Sequence, residues 1–306
     1  MSEPVWRADI VIDAPLAARL IGAQFPALAK VPVVPFGSGW DNAAFLVGDR
    51  AVFRFPRRRV VARLIECEIA VLPLLAPHLP LAISAPLFRG APSLDFPWAF
   101  AGYERIEGTT ACALDLDAAA RDGLAVPLAR FLRELHGRDT APLVAAGLPP
   151  DELGRLDAGK RLRLARERLP TLEAANIQGA RTAVAWLAAN PPEPLDERRR
   201  TVVHGDLYAR HVLLDGGRKP VGIIDWGDVH LGDPALDLAI AHLLLPPTAY
   251  PAFRAAYGPI DERTWRAARY RALYHAILEV DYGIRENDAG MRDCGTTALR
   301  LAQTPG

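Results

Sequence analysis

Apolar and polar positions change rhythm about a third of the way along the chain. From Val31 to Ile106 the apolar residues come in short runs: "VPVVPF", "AAFLV", a "GDR" turn, "AVFRF", and, after a loop containing "RGAPSLDFP", "PWAFAGYERI". Runs of this length, punctuated by Gly, Pro and Asp, predict strands. Residues 60–72 instead carry a helical period and meet Pro73, where the helix is expected to stop. The first third should be a small, mainly antiparallel sheet with one helix.

Beyond Gly108 the period is helical. In "LAVPLARFLRELHG", Leu124, Leu128, Phe131, Leu132 and Leu135 fall on one face. Two apolar runs, "HVLLD" and "VGIID", interrupt the helices as a hairpin joined through Gly216-Gly217. Helical sequence resumes after Pro234, with breaks at Pro246-Pro247 and around Gly258-Pro259. The expectation is an α+β chain: a β-rich lobe over residues 1–102, a connector at 103–108, and a helical lobe over 109–306. A cleft between two such lobes is a common place for a ligand.

Composition narrows the function classes. The chain's 36 Lys and Arg balance 36 Asp and Glu, so there is no basic footprint for nucleic acid or an anionic membrane. Cys67, Cys112 and Cys294 are odd in number and far apart, which suits neither a disulfide framework nor a zinc site and points to a reducing cytoplasm. The opening "MSEPVWRADIVIDAP" lacks the pattern of a secretory signal. Residues 69–88 carry no Asp, Glu, Lys or Arg, yet Pro73, Pro77, Pro80 and Pro86 rule out one spanning helix there. A soluble cytoplasmic monomer is expected.

The chemistry concentrates in "VVHGDLYARHVLLDGGRKPVGIIDWGD", residues 202–228. If the hairpin pairs about residue 218, His211 lies opposite Asp225 and projects to the same face. Asp206 precedes the first strand in a loop able to fold over that open end. Two carboxylates and an imidazole meeting there suit a divalent cation, since Mg²⁺ takes oxygen ligands and often uses one or two carboxylates plus substrate phosphates. Asp206 would accept the proton of an attacking hydroxyl and Asp225 would hold the metal. His211 would orient Asp206, bind a water or ligate the metal. Taken singly, each is an ordinary turn or strand-end residue; as a set they read as a site.

"HGDLYARHVLL", "GIIDWGD" and "GDPALDLA" resemble the signature of the aminoglycoside phosphotransferase family, relatives of the protein kinases. The resemblance implies a two-lobed protein-kinase-like fold and Mg²⁺-dependent transfer of the γ-phosphate of ATP or GTP to a small-molecule hydroxyl. It makes Asp206 the base and Asp225 the metal-holding aspartate. His211 stands where most kinases carry Asn, a choice associated with aminoglycoside 2″-phosphotransferases and macrolide phosphotransferases. His204, Asp233 and Asp237 would brace the catalytic loop.

The first lobe should then hold the nucleotide. In "PFGSGWDNAAFLV", Gly37, Ser38 and Gly39 lie between two strands, where backbone N–H groups can approach phosphates, although the third glycine of the kinase loop is missing. Arg54, inside "AVFRF", takes the place of the kinase strand-three lysine, while Arg57, Arg58 and Arg59 read as a solvated run. Its carboxylate partner is Glu66 or Glu68. At about 100° per residue Glu68 shares the stripe of Val61, Ile65 and Leu72, where a charge needs a partner, so Glu68 is chosen. Backbone groups from Glu104 to Ile106 would bond the nucleotide base.

The acceptor should meet the stretch "LYHAILEVDYGIREND", which offers Tyr274, His275, Glu279, Asp281, Tyr282 and Glu286. Glu279 and Asp281 are the chosen contacts for an aminoglycoside- or macrolide-like antibiotic. Two alternatives stay open: a metabolic kinase for choline, homoserine or a related amino alcohol, and an idle nucleotide-binding protein on the same fold.

Overall fold

The structure, a computed structural model, describes residues 9–38, 41–194 and 197–304. Helix α1 (Ala14–Gln24) leads into strands β1 (Val33–Ser38), β2 (Asn42–Val47) and β3 (Ala51–Pro56). Helix α2 (Arg59–Leu75) and strands β4 (Ala82–Ile83), β5 (Pro86–Gly90) and β6 (Phe100–Glu104) follow. Five of these strands form an antiparallel sheet in the order β1-β2-β3-β6-β5. Strand alternation sorts its two faces. Phe45, Phe53 and Phe55 are buried on one face with Phe96, Phe100 and the Ala17–Leu20–Ile21 stripe of α1. Rings of Phe55 and Phe100 stack there at 4.5 Å. Ala44, Val52 and Arg54 take the opposite face, toward a large cleft.

Three local expectations change. A second helix, α1, joins this lobe, started by Asp13, whose carboxylate accepts from the Leu16 N–H. Helix α2 does not stop at Pro73 but continues to Leu75. A proline in the last turn forfeits one hydrogen bond, while the residues added beyond it place Leu75 in the core. Strand β5 also claims Arg89 and Gly90 from the expected loop.

Strand β4 leaves the first sheet and pairs in parallel with the hairpin. That second sheet has the order β4-β10-β9-β7, with β7 (Thr109–Thr110), β9 (Val212–Leu214) and β10 (Pro220–Ile223). Gly222 lies under both passages between the sheets. A Cβ there would come within 2.7 Å of Ile106 in the connector and 3.2 Å of the Ala82 carbonyl in β4. A third pair, β8 (Thr201–Val203) with β11 (His230–Gly232), brackets the segment that carries Asp206 and the hairpin.

The remainder is helical: α3 (Ala118–His136), α4 (Ala141–Ala145), α5 (Ala158–Ala174), α6 (Ala180–Ala189), α7 (Ala235–Leu244), α8 (Tyr250–Tyr257), α9 (Glu262–Arg285) and α10 (Ala289–Gln303). The five apolar positions read on one face of α3 are fully buried, although that helix passes through Pro127. Aspartates 117, 157, 261 and 288 start α3, α5, α9 and α10 by accepting a backbone N–H three residues on, the usual use of Asp at an N-cap. Helix α9 is central. It meets α10 so closely that a Cβ on Gly295 would lie 2.8 Å from that of Glu279. Among the described residues, no helix is long and apolar enough to cross a membrane.

Candidate active site

The hairpin forms, but one residue out of the expected register. Val212 pairs with Ile223 and Leu213 with Gly222, and an irregularity at Val221 absorbs a residue. His211 therefore faces Ile224, whose N–H it accepts at 3.0 Å, rather than Asp225. The imidazole and carboxylate meet all the same, because Asp225 adopts a left-handed backbone with φ 64°. That conformation costs a non-glycine residue about 1–2 kcal/mol. It brings Asp225 Oδ2 to 3.4 Å from His211 Nε2. The other nitrogen, Nδ1, donates to the Asp206 carbonyl at 2.8 Å. Burial works against a charged His211, but the bond to Asp225 and its charge raise the imidazole above its ordinary value.

Asp206 sits in a loop held from beneath. Gly205 has φ 85°, and a Cβ there would lie 2.5 Å from the Asp228 carbonyl, so only glycine fits. The Asp237 carboxylate accepts the backbone N–H groups of His204 and Gly205 at 2.7 and 2.9 Å and also meets His136 Nε2 at 3.2 Å. Burial alone would push Asp237 up; His136 and these bonds hold it below its ordinary value. His204 is fully buried, and its Nε2 donates to the Ile224 carbonyl at 3.0 Å, tying loop to hairpin. Asp233 does not reach this loop. Its carboxylate accepts the Ala235 N–H at the start of α7, so of the two aspartates in "GDPALD" only Asp237 does the bracing.

Arg54 reaches into the cleft and holds two carboxylates, Glu68 at 3.2 Å and Asp225 at 2.9 Å. Glu68 is 1% exposed and also accepts from the Tyr103 hydroxyl at 2.8 Å, whereas Glu66 is exposed. Burial lowers the proton affinity of Arg54, but Glu68 and Asp225 more than reverse this. Burial likewise pushes Asp225 up, and Arg54 with His211 holds it far below the carboxylate range. The solvated reading of the arginine run fails at Arg58, which pairs with Asp41.

The cleft measures about 930 Å³, and Asp206 and Asp225 both line it. Gly37, Arg54, Glu68, Glu104 and Ile106 line its other half. Gly37 and Ser38 end strand β1 instead of forming a loop between strands, and Gly39 lies outside the described residues. Among the described residues, no atom stands within 4 Å of a Cβ built on Gly37. At the far end, His275, Leu278, Glu279, Tyr282 and Met291 project from α9 and α10. Asp281 does not join them: it is buried between Arg168 and Arg285, at 3.5 and 2.8 Å. At helical spacing Asp281 stands about 200° around the axis from Glu279, so both carboxylates could not face one ligand. Glu286 is exposed outside the cleft lining, and Tyr274 packs under Arg161.

Three contacts are absent from the sequence reading. Arg271 donates to Asp206 Oδ1 at 3.0 Å, Tyr103 braces Glu68, and Arg155 binds Asp151 and Asp228 beside the loop. Burial pushes Glu279 well above the carboxylate range and His275 well below the imidazole range.

Residues 32–271 match the phosphotransferase enzyme family. Among solved structures, the GDP and kanamycin complex of APH(2″)-IIIa superposes with a TM-score of 0.68 at 24% identity, over 94% of this chain and 98% of that one. Macrolide 2′-phosphotransferase type I gives 0.60 at 21%, over 97% and 100%. The apoenzyme of macrolide 2′-phosphotransferase MphH from Brachybacterium faecium gives 0.58 at 20%, over 96% and 99%. The uncharacterized protein YcbJ of Bacillus subtilis (strain 168) is 23% identical over 178 residues, which span 53% of this chain and 55% of that protein. The chain thus spans about half the length of the curated relative it matches. With its two-lobed kinase-like fold and a family match over most of its length, the chain belongs to the phosphotransferase enzyme family.

Proposed function

We propose that the chain transfers the γ-phosphoryl group of ATP or GTP to a hydroxyl of a small molecule of the aminoglycoside or macrolide kind. One observation carries the reading: Asp206 and Asp225, far apart in sequence, line the same cleft as Arg54 and Glu68. Phosphoryl transfer is largely positioning and charge stabilisation, and those tasks are divided here. Arg54, held by Glu68, is a cation placed to grip phosphate oxygens. Asp206 orients the acceptor hydroxyl and receives its proton. The structural relatives with GDP and kanamycin, or with streptomycin and ATP, in their names support nucleotide and acceptor sharing this cleft.

The residues also fit Mg²⁺. Asp225, held ionised by Arg54 and His211, supplies the oxygen ligand that such an ion takes, with water and substrate phosphates completing its shell. Asp225 and His211 Nε2 would hold it, His211 being fixed in place by its Nδ1 bond. When bound, the ion neutralises charge on the triphosphate.

The lining narrows the acceptor. On α9 and α10, Glu279 is the one carboxylate facing the cleft, beside Leu278, Tyr282 and Met291. A polycation would need several such partners, so an acceptor with few charges and an apolar body, macrolide-like, fits better. The test is a nucleotide-consumption screen across aminoglycosides, macrolides and amino alcohols. Turnover should be highest with macrolides, and Asp206→Asn should lower kcat by about 10²–10⁴-fold with nucleotide affinity retained. Full turnover in Asp206→Asn would overturn the assignment; preference for a polyamine acceptor would overturn the narrower reading.

A further inference from the structure

We infer that Arg271 is a positioning residue for the catalytic aspartate, fixing one oxygen of Asp206 so that the other faces the acceptor hydroxyl. The inference rests on the proposed phosphoryl transfer and assigns a task to a group outside the cleft lining. Arg271 is 6% exposed and projects from α9. It reaches Asp206 Oδ1 at 3.0 Å, and it does not line the cleft, so it approaches the carboxylate from behind. His275, one turn further along α9, stands 3.6 Å from the same Oδ1, beyond bonding distance. Both contacts from α9 therefore fall on one oxygen, and Oδ2 is the atom left for substrate.

A buried guanidinium needs a reason, because stripping water from a charge costs several kcal/mol. The neighbouring arginines make this placement harder. Burial, Arg155 and Arg161 all depress the proton affinity of Arg271, and Asp206 is the carboxylate that opposes them. Those two arginines have other partners: Arg155 takes Asp151 and Asp228, and Arg161 takes the carbonyls of Leu153 and Gly154. Arg271 is committed to Asp206. A chain that needed only a folded α9 would do better with an apolar residue there.

The chemistry accommodates a cation on the base. As the acceptor oxygen bonds to phosphorus and the bond to the departing nucleoside diphosphate oxygen breaks, the hydroxyl proton passes to Asp206 Oδ2. Arg271 takes no proton and loses none. In a loose transition state most of the catalysis is positioning, so what counts is where the receiving oxygen stands. What Arg271 contributes is direction.

The test uses the full chain and the acceptor found in the screen, with Arg271→Ala, Arg271→Lys, Asp206→Asn and the double variant Asp206→Asn/Arg271→Ala. Misplacing a reacting group by about 1 Å can cost 100-fold, and a fall of about that size in kcat is expected for Arg271→Ala. Nucleotide Kd and acceptor KM should stay within about twofold of wild type, because uniform binding is untouched. Free methylguanidinium should restore part of kcat to Arg271→Ala and none to Asp206→Asn. In the Asp206→Asn background, removing Arg271 should cost nothing further. Arg271→Lys, which keeps the charge, should retain more kcat than the alanine variant and stands in should that variant fail to fold. Unchanged kcat in the substituted chains, or the same loss with and without Asp206, overturns the inference alone. A wild-type chain that turns over no acceptor overturns the proposed function and the inference with it.

Discussion

Arg54 is the residue on which the half of the cleft proposed for the nucleotide turns, because one guanidinium satisfies two acidic groups at once. Removing one partner of a buried pair leaves the other charge uncompensated, at about 3–5 kcal/mol. Asp225 retains part of that compensation for Arg54, which is itself only slightly exposed. Glu68→Ala should therefore lower stability by about 3 kcal/mol in urea unfolding and weaken nucleotide binding, while Glu66→Ala changes neither. Equal effects of the two variants would refute the assignment. This choice was legible in the sequence, since helical spacing put Glu68 among apolar residues and Glu66 on the far side. The same spacing separates Glu279 from Asp281, two residues apart on α9, so the expectation that both meet one acceptor does not hold. Arg271 was hidden for another reason: its partner lies 65 positions away, and no local pattern announces a contact of that range.

Helices α9 and α10 line the end of the cleft proposed for the acceptor, and their separation is set by missing side chains. Gly295 opposes Glu279, and Gly283 opposes the Arg292 backbone, with a Cβ there only 2.4 Å from its nitrogen. Overpacking a tight contact costs about 1–3 kcal/mol. Gly295→Val should lower the melting temperature and raise acceptor KM, leaving nucleotide Kd unchanged because the first sheet is untouched. A rise in nucleotide Kd of similar size would show that the two halves are not separable in this way. At this scale the strands, the α3 stripe and the hairpin were readable from period and punctuation. Length was not: α2 runs past Pro73 because buried leucines outweigh one lost bond, and that balance is tertiary. Nor was the Val221 irregularity, since an inserted residue in a strand leaves the apolar pattern nearly intact.

For the molecule as a whole, four buried imidazoles set the response to acid. His204, His230, His242 and His275 are all pushed below the ordinary histidine value, burial being the first cause, and His242 is pushed down to about 3. Below about 6.5 the unfolded chain takes up protons that the folded one refuses, so stability falls as pH falls, by up to about 1.4 kcal/mol per pH unit for each histidine. His211 has the opposite sign: its contribution is complete below the unfolded value and is lost as pH rises through the raised folded one. Asp225 and Asp237 contribute above the unfolded carboxylate value and lose their contribution as pH drops past it. Glu279 and Glu68, held above their ordinary value by burial, work against the four histidines, because the folded chain keeps protons there that the unfolded one has lost. His242→Gln should therefore shift the pH dependence of the urea midpoint between about pH 7 and pH 5 toward greater acid stability, by about one proton's worth. A His242→Gln chain with the same pH dependence as wild type would contradict the neutral buried state of that ring.

Gly222 carries a mechanical consequence. Both routes by which the chain passes between the first sheet and the hairpin press on this residue, Ile106 from one side and Ala82 from the other. Two supports meeting at one place act as a fulcrum, not as a broad weld. Any tilt of the sheet bearing Arg54 would turn about that spot, and its displacement would grow with distance from it. Jaw closure in this chain would be a lever motion whose pivot is the smallest side group available.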